Sequence, residues 1–135
     1  MHPDHLGSPS YITTKNGSIS QHVEYIAFGE VLFEEHSSSF SSPYLFNGKE
    51  LDRETNLSYY GARYLDMKTS LWLSVDHMTE KYINESSYIY CSNNPIVYMD
   101  PTGKFKVPIH EKIIQEALAN LGYKKYVHMA IWKSQ

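Results

Sequence analysis

The segment from Pro43 to Asp66 constrains this chain more than any other. Its 24 residues carry five aromatic rings (Tyr44, Phe46, Tyr59, Tyr60 and Tyr64), glycines at positions 48 and 61, and the charged run Lys49-Glu-Leu-Asp-Arg-Glu54. Aromatic and β-branched residues suit a pleated, half-buried surface, and glycine lets the backbone reverse sharply. A stretch cut so often by glycine leaves no room for a long helix, so it reads as short antiparallel strands. No nucleophile motif or metal-ligand spacing is visible in it.

The same chemistry recurs along the chain. Tyr11-Ile-Thr-Thr-Lys15 leads into Asn16-Gly17, a two-residue hairpin signal of the type I′ kind, and a return strand over Ser18–Phe28 stops at Gly29. Val31–Phe33 is a further short strand. The serine-rich run His36–Ser42, with no aliphatic residue, is expected to be a mobile loop. Tyr44-Leu-Phe46 meets a second turn of the same type at Asn47-Gly48. Leu57–Leu65 and Leu71–Val75 read as strands, with Gly61 inside the first, and Thr79–Asn84 as a helical turn. Asn93-Asn94-Pro95 marks a turn before a strand at Ile96–Met99, and Asp100-Pro101-Thr102-Gly103 closes the section as a tight turn. These strand–turn units cannot bury their own faces and gain stability by adding to a larger sheet.

The character then changes. Ile109, Ile113, Ile114, Ala117, Leu118 and Leu121 recur at three- and four-residue spacing, which predicts a helix over His110–Leu121 with Pro108 near its start and Gly122 just past its end. The tail from 123 to 135 is ambiguous. The reading is therefore mainly β, consecutive antiparallel hairpins followed by a short C-terminal α-helical segment. A boundary falls between Gly103 and Pro108, dividing residues 1–103 from residues 104–135.

At 135 residues the chain has the size of one small domain, and such a chain buries only about two thirds of its unfolded surface. Twelve tyrosines supply much of its apolar area, and tyrosine suits surfaces with one wet end. It is expected to need a larger assembly for stability. A net charge of −3 argues against a nucleic-acid partner. The lone cysteine, Cys91, cannot form an internal disulfide and reads as a buried, inert thiol beside Tyr90. There is no apolar run long enough to span a membrane and no signal peptide in this chain.

The ordered set Asp4-His-Leu-Gly-Ser8, Tyr25-Ile-Ala-Phe-Gly-Glu30, the Pro43–Asp66 segment, Ser92-Asn-Asn-Pro95 and Asp100-Pro-Thr-Gly103 closely resembles the RHS/YD-repeat family, specifically its repeat-associated core. The resemblance covers residues 4–103. It implies the end of a β-shell whose strands spiral into a hollow cocoon around a polymorphic toxin. Residues 104–135 would then be the truncated start of that variable toxin. The implied setting is bacterial, secreted or at the cell surface as part of a longer protein used in competition. The implied partners are the upstream YD-repeat shell and an immunity protein.

In self-cleaving branches of the family, aspartates of the core are linked to a cut just after it. The matching positions are Asp76 and Asp100. Two carboxylates held close share a proton, one then acting as base and the other as acid on a peptide carbonyl near residues 104–108. The copy departs from the pattern at three places: His77-Met78-Thr79 follows Asp76, Val75 stands where an arginine is found, and Met67 follows Asp66. The alternative is that both aspartates are turn residues bonding nearby backbone N–H groups. His2, His5, His110 with Glu111, and His128 lack the ligand number and spacing of a metal site, so no metal or other cofactor is expected. Arg63 and Lys49 read as solvated surface partners of Asp66, Glu50 or Asp52. Tyr59, Tyr60 and Tyr64 read as cross-strand packing.

Overall fold

The computed structural model describes residues 1–122; the ambiguous tail from 123 and His128 lie outside the described residues. Ten antiparallel strands form three sheets among these residues, followed by one helix. The first sheet has the order β1 (His2–Pro3), β2 (Pro9–Thr13), β3 (Ile19–Tyr25), β4 (Val31–His36). The second runs β5 (Glu50–Asp52), β6 (Leu57–Tyr59), β7 (Tyr64–Asp66), β8 (Leu71–Trp72). A two-stranded ribbon pairs β9 (Tyr98–Met99) with β10 (Val107–Pro108), and α1 (Ile109–Asn120) follows directly.

One turn design makes the first four reversals. In residues 4–8, 14–18, 26–30 and 45–49 the first N–H donates to the carbonyl of the fifth residue, and the fourth residue's N–H donates back to the first carbonyl. The fourth residue is glycine each time, at φ between 67° and 92°. That position lies in the left-handed region, where a Cβ meets the following carbonyl oxygen, so glycine is the natural occupant. The Asn16-Gly17 hairpin thus differs from the expected type I′ turn: only Gly17 has positive φ, the pattern of a three-residue loop with a bulge. At Asn47-Gly48 both residues are left-handed, with φ 54° and 67°, as a type I′ turn requires.

Several expected strands are shorter or divided: Ser18–Phe28 is a strand only over Ile19–Tyr25, and Ile96–Met99 only over Tyr98–Met99. Leu57–Leu65 is two strands, because Gly61 at φ 101° reverses the chain after Tyr60. In Leu71–Val75 only Leu71 and Trp72 form strand β8, although Leu73 N still donates to Tyr64 O of β7 at 3.1 Å. The serine run is not the loose loop its composition suggests. Ser37 N donates to Ser20 O at 3.0 Å, Ser20 and Ser38 hydroxyls meet at 2.7 Å, and Ser42 N donates to the buried Gln21 Oε1 at 2.9 Å. Hydroxyls on this side replaced the missing apolar contacts, which composition alone cannot reveal.

The core joins all three sheets. Leu6, Val23, Leu45, Phe46, Leu51, Tyr60, Leu65, Met67, Trp72, Tyr90, Cys91, Met99 and Ile109 form one buried cluster. At its centre Tyr60, Trp72 and Tyr90 meet edge to face, with centroids 5.1, 5.4 and 5.8 Å apart, the arrangement ring quadrupoles favour. Asn47 Nδ2 donates to the hydroxyls of Tyr60 at 2.8 Å and Tyr90 at 2.6 Å, so the buried phenols have a partner. Tyr59 and Tyr64 pair across the β6–β7 hairpin on its outer face, 5.0 Å apart. The helix begins on Pro108 and ends just before Gly122, which lies at φ 80°. It contributes Ile109 to the core, while Ile113, Ile114 and Leu121 stay exposed.

Candidate functional site: the Asp100 turn and its arginine

Asp100 opens a turn that is built around its own side chain. Oδ1 accepts from the backbone N–H groups of Thr102 at 3.0 Å, Gly103 at 2.7 Å and Lys104 at 3.2 Å. Pro101 sets φ after the aspartate, and Gly103 at φ 75° completes the reversal. There is no room at Gly103 for a side chain: a Cβ would stand 2.9 Å from Arg63 N. Ala62 N donates to Thr102 O at 3.0 Å, so the turn is laced to the Gly61 reversal.

Arg63 lies buried at the centre, contrary to the surface position its charge suggests. Its side chain is 2% exposed. Nε donates to Gly103 O at 2.5 Å, Nη1 to Ser87 O at 3.5 Å, and Nη2 lies 3.5 Å from both Asp76 Oδ2 and Asp100 Oδ2. The guanidinium stacks 4.2 Å from the centre of the Trp72 ring. Lys49 is likewise not a partner of Glu50 or Asp52; it donates to Pro101 O at 2.5 Å and stands 5.4 Å from the centre of the Tyr60 ring. Asp52 and Asp66 instead cap their own turns, each accepting from the N–H two residues on and from a threonine hydroxyl three residues on. Local pattern points to a solvated arginine because charges are seldom buried unpaired; the aspartates that meet Arg63 sit 13 and 37 positions away in the chain, beyond the reach of that pattern.

The two aspartates singled out from the sequence thus converge on one nitrogen. Asp76 Oδ1 accepts from Met78 N at 2.8 Å, so each carboxylate gives one oxygen to backbone and the other to Arg63. Burial pushes the Asp100 carboxyl above its usual range, against the pull of its three N–H donors and Arg63. Burial also pulls the Arg63 guanidinium down, with Asp76 and Asp100 opposing it. A small cleft of about 20 Å³, room for roughly one water, opens beside these groups, lined among others by Arg63, Asp76, Asp100, Phe105 and Lys106. The Arg63 guanidinium stands between the two carboxyl groups, 3.5 Å from an oxygen of each, an arrangement that holds charge in place.

The other turn residues make contacts of their own, apart from the Arg63 cluster. Asn93 (φ 58°) ends a left-handed run that begins at Cys91, and Asn94 N donates to Cys91 O at 2.9 Å ahead of Pro95. Gly29 packs against the Phe46 ring, and Gly48 lies near Gly7 O. Asp4 caps its own turn through Leu6 N and Ser8 N, and the His5 ring reaches Ile96 O at 3.3 Å. Among the described residues no three His, Cys, Asp or Glu side chains are grouped to hold a metal, and no helix is long and apolar enough to cross a membrane.

Residues 1–99 match the family model of the teneurin YD-shell. Teneurin-3 of Danio rerio is 29% identical over 98 residues, which is 69% of this chain and 4% of that protein. The tRNA nuclease WapA of Bacillus subtilis (strain 168) is 29% identical over 96 residues, 68% of this chain and 4% of the nuclease. The crystal structure of TcdB2-TccC3 without its hypervariable C-terminal region superposes with a TM-score of 0.67 at 30% identity, over 76% of this chain and 5% of that one. The chain therefore spans about one twentieth of the length of these relatives. With its sheets of hairpins and its matched residues 1–99, the chain belongs to the YD-shell family of RHS/YD-repeat proteins.

Proposed function

We propose that this chain is a wall segment that closes a YD-repeat shell and holds the junction to whatever follows the Asp100 turn. One observation carries the reading. β4 is an edge strand, and its neighbouring residues Leu32 and Phe33 are 67% and 46% exposed. Successive strand residues point to opposite faces, so β4 offers apolar surface on both sides and an unpaired edge as well. An element of this kind is completed by further strands. The Asp100–Arg63 lock supports the second half of the reading, since it ties the Asp100 turn to the Gly61 reversal just ahead of residue 104. The hypervariable C-terminal region named for the TcdB2-TccC3 relative supports a variable, toxin-type region from residue 104 onward. The setting that goes with this reading is a bacterial protein exported as part of a longer polypeptide, with an immunity protein as partner of the C-terminal region.

Co-expression with a polypeptide of upstream YD repeats tests it. Stable association that weakens when Leu32→Lys and Phe33→Lys are introduced is the expected result. A 135-residue chain that ignores the repeats and shows no surface for apolar dyes overturns it.

A second reading is self-cleavage near residues 104–108 by Asp76 and Asp100. It is favoured by the cleft those aspartates share with Phe105 and Lys106. A cut that appears in the shell-bound chain and disappears in Asp76→Asn and Asp100→Asn is its expected signature; an intact chain in the wild type removes it.

A further inference from the structure

Lys106 stands six residues after Asp100, and its side chain is only 21% exposed. Its ammonium donates to Glu85 Oε1 at 2.7 Å, to Glu85 Oε2 at 2.9 Å and to the Ser92 hydroxyl. Ser92 in turn donates to Glu85 Oε1 at 2.6 Å, closing a triangle. The rings of Tyr82 and Tyr98 flank the ammonium, with centroids 4.9 and 5.7 Å away. A carboxylate and two ring faces are the surroundings a fixed ammonium prefers. The bond from Lys106 holds the Glu85 carboxyl below its ordinary range.

The backbone beneath Ser92 is unusual. Cys91, Ser92 and Asn93 are consecutive non-glycine residues at φ 48°, 54° and 58°. Each occupies a region that L-residues avoid, and conformations of this sort persist where the surroundings impose them. The turn is closed by Asn93 N to Tyr90 O at 3.0 Å, and Tyr90 is fully buried. It turns Ser92 outward to Glu85 and Lys106 while Cys91 stays in the core. The shell-wall reading leaves this motif unexplained.

We infer that Glu85, Ser92 and Lys106 form a latch in which Lys106 is a positioning residue, pinning the peptide from Lys104 to Lys106 along the cleft that holds Asp76 and Asp100. The inference rests on the junction half of the proposed function. The segment is held at three points: Lys104 N on Asp100 Oδ1, Lys106 on Glu85 and Ser92, and Val107 paired with Met99. Lys106 is the middle point. Without it, Phe105, which is 43% exposed, has no tether on its C-terminal side before β10. The latch sets whether the junction peptide lies still or opens to an outside protein.

The test uses the full 135-residue chain. Glu85→Gln leaves Lys104 and Lys106 intact as trypsin sites, so nicking there reports opening directly. The first cut within 104–106 is expected to become about tenfold faster, as for a segment released into local opening. Lys106→Met is expected to speed amide exchange at 105–107 to a similar degree, while amides of β5–β8 keep their wild-type rates. Lys106→Arg, which retains charge and ring contact, is expected to restore most of the protection. The inference is overturned if Glu85→Gln and Lys106→Met both match the wild type over 104–108, or if they accelerate the core strands equally. Failure of the chain to join the upstream repeats sinks the shell-wall reading alone, because local exchange is read without those repeats.

Discussion

The Arg63 guanidinium carbon lies over the Trp72 ring inside the fold, 4.2 Å from its centre, with Asp76 and Asp100 both reaching the same guanidinium nitrogen. The pair joins β8 to the Gly61 reversal and the Asp100 turn. Removing the guanidinium leaves two carboxylates and the Gly103 carbonyl without their donor.

Arg63→Ala is accordingly expected to lower stability by about 3–5 kcal/mol, the cost of breaking a buried pair. Arg53 supplies the comparison: it meets Glu34 at 2.7 Å but its side chain is 46% exposed, so Arg53→Ala is expected to cost at most about 1 kcal/mol. Urea unfolding of both variants beside the wild type measures the difference; equal losses refute a buried role for Arg63.

Two carboxylates are expected to give opposite pH slopes. Asp100 is raised by burial, so its folded form holds a proton that the unfolded chain has already released. Its contribution is complete below the ordinary aspartate value and is lost as pH rises through the folded value. Glu34 is lowered, first by its hydrogen bond from Arg53. Its contribution is present above the ordinary glutamate value and is lost as pH falls through the folded one. Carboxyl NMR titration should place Asp100 above and Glu34 below their model-peptide values, and either midpoint on the other side contradicts the assignment.

Glycine substitutions separate backbone strain from collision. A Cβ at Gly17 meets nothing within 4 Å, whereas one at Gly29 would stand 2.3 Å from Phe46 Cγ. Gly17→Ala is expected to cost about 1–2 kcal/mol for the left-handed backbone alone. Gly29→Ala adds an overpacking cost of about 1–3 kcal/mol. Thermal melts of the two variants should rank them in that order.

Cys91 is expected to resist alkylation. It is buried, and burial pushes its thiol up to about 12, so almost no thiolate, the reactive form, exists at pH 8. Iodoacetamide should label it only as fast as the chain unfolds; rapid labelling of the native protein would show an open site.

The local chemistry of the chain determined where it reverses. Glycine at the fourth place of a five-residue turn is a steric requirement of single residues, so the hairpins at Gly17, Gly29 and Gly48 could be read from composition and spacing, as could the helix ending at Gly122. Asp76 and Asp100 stand out as a pair only through the resemblance to the RHS/YD-repeat family; local chemistry marks each of them as a turn residue. What stands between them was decided only by the tertiary fold. Arg63 is 13 residues from one aspartate and 37 from the other, and its burial depends on Trp72 and on the Gly103 carbonyl arriving from two different segments. The serine run is ordered in the same way, by Gln21 and Ser20 of β3. Turn geometry follows from one residue's torsions, but burial of a charge depends on which distant groups come to meet it, and that is settled only when the sheets close on their common core.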